Sequence, residues 1–284
     1  MALNSKVKFA VFVPVLLISF FFFFLPIVDT FSSSMKDLSG NFIGLERYFE
    51  FLSRTEFINS FVRTLEFTLC AVILSAVLAT IIALALRGTF IGKRLSLFLF
   101  QTNISIPHIA VAMMVIFLLS GTGFFSSIFY NLGIIDNWYE FPKIVGDASI
   151  VGIVISYTLK FTPFMGLSIL AVLQSLPMDY EQQSNVLGVN KIKTFIHITL
   201  PAILPAIVTT GLFSFTFAFG CYEVPMMLLS GDSLSTMIYN DYYNYSDPEG
   251  MYNAFTGGII LTVISVAISA AVLYLTMGQE DKDE

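Results

Sequence analysis

Apolar residues in this chain collect into long blocks separated by short polar stretches. A helix needs about 20 mostly apolar residues to cross a hydrocarbon core of roughly 30 Å. Six blocks meet that length, at 9–28, 65–86, 95–119, 150–173, 203–229 and 255–277. Helices are expected because lipid offers no water to a free backbone N–H or C=O. The ten-residue alternating segments of a membrane barrel do not appear. The pattern predicts an all-α integral membrane protein with six transmembrane helices, forming a single transmembrane domain over 1–284.

Lys6 and Lys8 precede the first block, as in a secretory signal. The run is long, however, Phe20–Phe24 is bulky, and no small-x-small cleavage site follows Val28, so the first helix is expected to be retained. Placing the N-terminus inside puts Lys6, Lys8, Arg87, Lys93, Arg94, Lys191, Lys193 and Lys282 in the cytoplasm. Lys36, Arg47, Arg54, Arg63 and Lys143 then lie outside, spread over a longer total of loop. The excess of cytoplasmic cations predicts an N-in, C-in chain.

Composition agrees and removes other classes. Of 284 residues, 56% are hydrophobic and 12% charged, about half the charge of a soluble domain. A net charge of −6 lacks the basic footprint that nucleic acid requires, so no nucleic-acid partner is expected. Cys70 and Cys221 fall in apolar blocks and read as small core residues, and His108 and His197 have no companion at metal-ligand spacing. No phosphate-binding glycine loop is present, so ATP is not expected to be hydrolysed by this chain. Neither a metal site nor a catalytic set is predicted, and the chain is expected to be no enzyme.

The cytoplasmic stretch 174–202 is too long and too structured for a mere connector. Pro177 suits an early helical position, Gly188 breaks that helix, and 189–199 offers a second short amphipathic piece. Pro201 and Pro205 mark re-entry into the membrane. Two short helices joined at a glycine form a docking element for a soluble partner.

From Glu181 to Pro205 this stretch resembles the coupling loop, or EAA motif, of permease subunits of type I ATP-binding-cassette importers. That motif runs Glu-Ala-Ala, three residues, Gly, then a spacer closing on hydrophobic-x-Leu-Pro. The chain supplies Gly188 and then Ile198, Thr199, Leu200 and Pro201 at the family spacing. It departs at the start: the glutamate position falls on Gln182 and the alanines on Gln183 and Ser184, with Glu181 one residue earlier. The segment 41–48, NFIGLERY, is similar to what precedes the second span in these permeases.

The resemblance implies a permease that pairs with a second permease subunit, expected to be a different one. Two cytoplasmic ATPases would bind ATP and Mg, so the permease needs no cofactor of its own, and an extracellular or periplasmic substrate-binding protein would deliver the solute. It implies a bacterial plasma membrane location. The loop would seat in the ATPase, so that ATPase closure tilts the spans, with Gly188 allowing the chain to reverse.

Four polar residues inside the blocks are candidates for the pore. Lys160 and Glu223 sit at depths differing by only about 5 Å, which invites an ion pair between spans four and five or a place in the cavity. Pro163 and Pro225 interrupt the same spans. His108 and Asn103, near mid-membrane in the third span, either line the pore or hydrogen-bond between helices. The Tyr-rich segment 239–252 fits an interfacial belt or a surface for the binding protein.

For the solute, the segments 219–225, 247–254 and 160–166 look like the polyamine, sulfate, iron and thiamine branch, and 160–166 like spermidine/putrescine permeases. With an acidic outer face they predict a polyamine; thiamine, iron, sulfate, phosphonate or a sugar are the alternatives. A membrane-embedded enzyme would need a convergent titratable set, and an ion-coupled secondary transporter would need inverted repeats, neither of which the blocks supply.

Overall fold

Prolines cut the apolar blocks where composition alone runs straight through. The computed structural model describes residues 5–146, 149–176, 184, 186, 188–228 and 232–283, with side chains from 12 to 274. Among the described residues all regular structure is helical, apart from one isolated bridge between Lys36 and Phe42. Six helices are long and apolar enough to cross a membrane, the expected number. They are Phe12–Ser34, Thr55–Arg87, His108–Asn131, Val151–Ser175, Lys191–Gly220 and Gly250–Tyr274, spans one to six below.

Two expected spans are redrawn. The block 95–119 is not one helix: Lys93–Ser105 ends, and His108–Leu119 begins, across an extended step at Ile106 and Pro107. Proline forces its predecessor out of the α region, and Ile106 has φ −73° and ψ 131°. The block 203–229 likewise ends early, at Gly220; Cys221 is extended and Glu223–Met227 is a separate short helix. Glu223 and Pro225 therefore leave span five. Pro163, by contrast, sits inside an unbroken Val151–Ser175 helix.

Spans one and five share a local device. Each carries a five-residue π-turn, Phe20–Phe24 and Phe195–Thr199, immediately before a Leu-Pro pair. Pro26 and Pro201 have no N–H for the carbonyl four residues back, so the preceding N–H bonds five back, Leu25 to Phe20 and Leu200 to Phe195.

The chain forms two compact units. One comprises Met1–Ile58 and Met237–Val263. Its anchor is Arg47, 2% exposed, which donates to Glu249 Oε2 at 3.0 Å, Asn253 Oδ1 at 3.4 Å and the Lys36 carbonyl at 3.1 Å. The guanidinium also covers the Tyr252 ring. Arg54 lies over Phe51 and pairs with Asp241 at 3.2 Å. Burial outweighs that pairing and holds the Asp241 carboxyl above the usual range, helped by the nearby Glu56 and Asp247.

The other unit comprises Asn59–Thr236 and Ile264–Glu284. Span four is its hub: Ile153, Tyr157, Phe161, Met165, Ile169 and Leu173 are all buried along it. It packs against Lys93–Ser105, His108–Leu119 and Leu200–Gly220. Ala71, Ser75, Ala79 and Ala83 lay a fully buried stripe of small residues at four-residue spacing along span two, which permits close helix approach. At Gly166 a Cβ would come within 2.8 Å of the Phe100 ring, so that position needs glycine's missing side chain.

Candidate functional site

The break at Ile106 and Pro107 leaves carbonyls at the end of helix Lys93–Ser105 without helical donors four residues on, the Asn103 carbonyl keeping only the Ile106 N–H at 3.4 Å. Lys160 meets them. Its ammonium donates to the carbonyls of Asn103 at 2.9 Å, Ile104 at 3.1 Å and Ile106. An ammonium has three donors and no acceptor, and a helix C-terminus carries partial negative charge, so charge and geometry match. The repayment is mutual. Pro163 has no N–H for the Leu159 carbonyl, and the Asn103 amide donates to that carbonyl at 2.7 Å. Each helix thus supplies the side chain that satisfies the other's defect.

This arrangement corrects the expected ion pair. Lys160 is 5% exposed and turned to the end of helix Lys93–Ser105, while Glu223 is exposed at the start of its short helix. Among the described residues the carboxylate–cation pairs are Arg47–Glu249, Arg54–Asp241 and Arg63–Asp232. Helix Glu223–Met227 starts beyond an extended residue, so depth counted along one straight helix misjudged where Glu223 lies.

His108 opens the second half of the broken helix. Its half-buried ring stacks on Phe217 at 4.3 Å and tilts toward Phe161 at 6.2 Å. Phe161 in turn stacks on Tyr157 at 5.3 Å. Beside the break, Gln101, Thr102 and Ser105 are exposed and Asn103 is half-buried. The break therefore combines satisfied backbone, one buried cation and a cluster of accessible polar groups.

A second site lies in the stretch expected to dock a partner. Glu181, Gln182 and Gln183 fall outside the described residues, as do Pro177 and Asp179. Ser184 and Val186 are helical, and Gly188 follows with φ +73°. The Val189 N–H bonds back to the Ser184 carbonyl at 3.1 Å, closing the helix as a left-handed cap does. Asn190 then caps the next helix by accepting from Ile192 N. Ser184 Oγ and Thr194 Oγ1, both buried, meet at 2.7 Å and tie the two helices together.

Nothing lies within 4 Å of a Cβ built at Gly188, so within this chain the positive φ, not crowding, demands glycine. Val186, Ile192 and Ile196 are 88%, 66% and 47% exposed, an apolar row beside the turn. Leu200 packs on the core and Pro201 is exposed at the first turn of its helix. Helix runs on from Lys191 to Gly220 through the π-turn, so the second piece of the loop is the foot of span five.

Sequence reasoning missed the helix break and the Arg47 anchor. Pro107 was the available signal for the first. No local signal marked the second, because its side-chain hydrogen-bond partners, Glu249 and Asn253, lie some 200 residues away.

Residues 71–278 match the family model described as the binding-protein-dependent transport system inner membrane component. The trehalose/maltose transport system permease protein MalF of Thermococcus litoralis is 28% identical over 99% of this chain and 96% of its own length. A putative 2-aminoethylphosphonate transport system permease protein PhnU of Salmonella typhi is 21% identical over 96% of this chain and 91% of its own. Among solved structures, a bacterial alginate ABC transporter in complex with an alginate pentasaccharide-bound periplasmic protein has a chain that matches with a TM-score of 0.78. The identity there is 17%, over 96% of this chain and 94% of that one.

Proposed function

The chain belongs to the binding-protein-dependent transport system inner membrane components, multi-pass proteins of the bacterial plasma membrane, and from that premise we propose a permease for saccharides. As an ATP-binding-cassette importer permease it forms one wall of a pathway whose other wall is a second permease. Its solute arrives from an extracellular binding protein and its energy from ATP hydrolysed in two cytoplasmic partner subunits. The observation that carries the saccharide reading is the likeness to the trehalose/maltose permease, which runs the length of both chains.

The polyamine reading gives way. It rested on short segments and an acidic outer face, while the relatives are named for sugars and a phosphonate. The ammonium of Lys160 is held by backbone carbonyls. The polar groups at the break, Gln101, Thr102, Ser105, Asn103 and His108, are uncharged or weakly basic. Hydroxyls and amides suit a neutral, hydroxyl-rich solute.

The turn at Gly188, with N-in orientation, faces the cytoplasm. Its exposed apolar row and adjoining Lys191 and Lys193 offer the ATPase a rigid foot on span five. Ser184 lies on the helix that would dock. ATPase closure moving this foot would tilt span five against span four.

The test is a gentle detergent purification of the tagged chain from its native membrane, with mass spectrometry of what accompanies it. Uptake by inside-out and right-side-out vesicles follows, using labelled trehalose, maltose, 2-aminoethylphosphonate and spermidine. Stoichiometric ATPase and second permease, with ATP-dependent saccharide uptake, support the reading. The chain recovered alone and active without ATP sinks it, and spermidine or phosphonate uptake in place of sugar overturns the substrate class.

A further inference from the structure

A serine or threonine inside a helix can donate its hydroxyl to the carbonyl four residues back. In spans two, four and five, Thr64, Ser75, Thr80, Ser156 and Thr210 do so at 2.6–2.9 Å. Four others in the same spans do not. Thr68, Thr158, Thr162 and Ser214 are 0%, 6%, 7% and 0% exposed, and the buried hydroxyl of each has no hydrogen-bond partner in the chain.

Neighbouring contacts fix their level and direction. Phe67 of span two stacks on Tyr157 of span four at 6.1 Å, and Phe61 meets Phe219 of span five at 6.1 Å. Further along, a Cβ at Gly211 of span five would lie 3.7 Å from Val72 and 3.8 Å from Met165. Thr68 falls between Phe67 and Val72, Thr158 and Thr162 between Tyr157 and Met165, and Ser214 between Gly211 and Phe219. These stretches are about 8–12 Å long, so the four hydroxyls share one layer of the bundle. Phe61, Thr68 and Val72 lie within about 40° of one another around their helix, on the face that meets span five. Thr158 and Met165, two turns apart, share a face in the same way. Lys160, the one charged residue in the three stretches, is turned to the carbonyls ending helix Lys93–Ser105.

We propose that spans two, four and five enclose a small cluster of water held by Thr68, Thr158, Thr162 and Ser214. A hydroxyl donates and accepts, as water does, and a buried water makes about three hydrogen bonds, so about two waters answer four hydroxyls. A metal cation would find only neutral oxygens and an ammonium on the same helix, and hydrocarbon would leave every hydroxyl unpaired. Water exchanges its partners without breaking a fixed contact between side chains. That suits the faces across which span five would tilt against span four, a consequence that rests on the permease reading above.

The test is brief X-ray radiolysis of the complex purified from its native membrane, which makes hydroxyl radicals from bound water where it sits. Oxidation is read residue by residue by mass spectrometry. Phe67, 1% exposed, should be oxidised several-fold faster than Phe51, 0% exposed in the other unit. Thr68→Val with Ser214→Ala should bring Phe67 down to the rate of Phe51 and slow the oxidation of buried Met165 several-fold. Each single change should weaken the folding equilibrium by about fivefold, and the pair by less than the product, since both strip the same water. Equal oxidation of Phe67 and Phe51 in the parent overturns the proposal, as does oxidation of Phe67 that the double variant leaves untouched. Single variants as stable as the parent, or more so, also overturn it, because removing a dry unpaired hydroxyl costs nothing. Uptake at the parent's rate by the double variant overturns the role in tilting, separately from the oxidation, which needs no ATPase.

Discussion

Replacing Lys160 with methionine keeps the length of the side chain and removes the three donors that close the end of helix Lys93–Ser105. A hydrogen bond from a charged donor is worth about 1.5–3 kcal/mol, so three at the low end give about 4–5 kcal/mol. Against this stands the roughly 2.5–3.5 kcal/mol that a lysine costs at mid-membrane. The difference is a net loss of about 1–2 kcal/mol, or about 5–30-fold in the folding equilibrium. Unfolding in mixed detergent–SDS micelles, followed by tryptophan fluorescence, measures it.

Lys160→Glu should be worse, since it sets a carboxylate against three carbonyl oxygens. Adding Glu223→Lys should give no relief, because Glu223 lies exposed on another helix. Two results refute the reasoning: a methionine variant as stable as the parent, or rescue of Lys160→Glu by the charge swap.

Gly188→Val should cost about 1–2 kcal/mol at the turn through its positive φ and leave ATP hydrolysis uncoupled from uptake, whereas Gly188→Asn, which tolerates that conformation, should stay coupled; paired ATPase and uptake assays in proteoliposomes decide. Arg47→Ala removes three hydrogen bonds and a ring contact at once and should destabilise by about 2–3 kcal/mol, with Glu249→Gln milder because Glu249 is half exposed; thermal unfolding in detergent reports both. The raised carboxyl of Asp241 means that its folded form holds a proton more tightly than its unfolded form, so its contribution is full below the ordinary carboxylate range and is lost as pH rises through the folded value. Asp241→Asn should therefore gain stability relative to the parent as pH is raised from about 4 to 7, and a flat difference across that range would contradict the burial argument.

The six spans were legible because lipid imposes a single length and a single backbone solution on every crossing. The turn at Gly188 was legible because the left-handed conformation that ends a helix favours glycine. What escaped was what two defects do together. Pro163 read as an interruption of its span, Lys160 as a partner for Glu223 or a cavity residue, and Asn103 as lining the pore or bonding between helices, while Pro107 drew no reading of its own. Only their positions in space join the four into one reciprocal repair. Arg47 was quoted within a family-like segment and its purpose went unseen, because Glu249 and Asn253 lie at the far end of the chain.

The mutual repair between helices Lys93–Ser105 and Val151–Ser175 also constrains how the protein is made. Ribosomes deliver Lys93–Ser105 before Val151–Ser175, so the carbonyls at Asn103, Ile104 and Ile106 are already waiting when Lys160 leaves the exit tunnel. A span carrying a lysine and a proline at its centre is a poor substrate for release into lipid on its own. Its earlier neighbour already holds the carbonyls and the amide that such a span needs. Biogenesis of the fourth span is thereby tied to a helix synthesised some fifty residues before it.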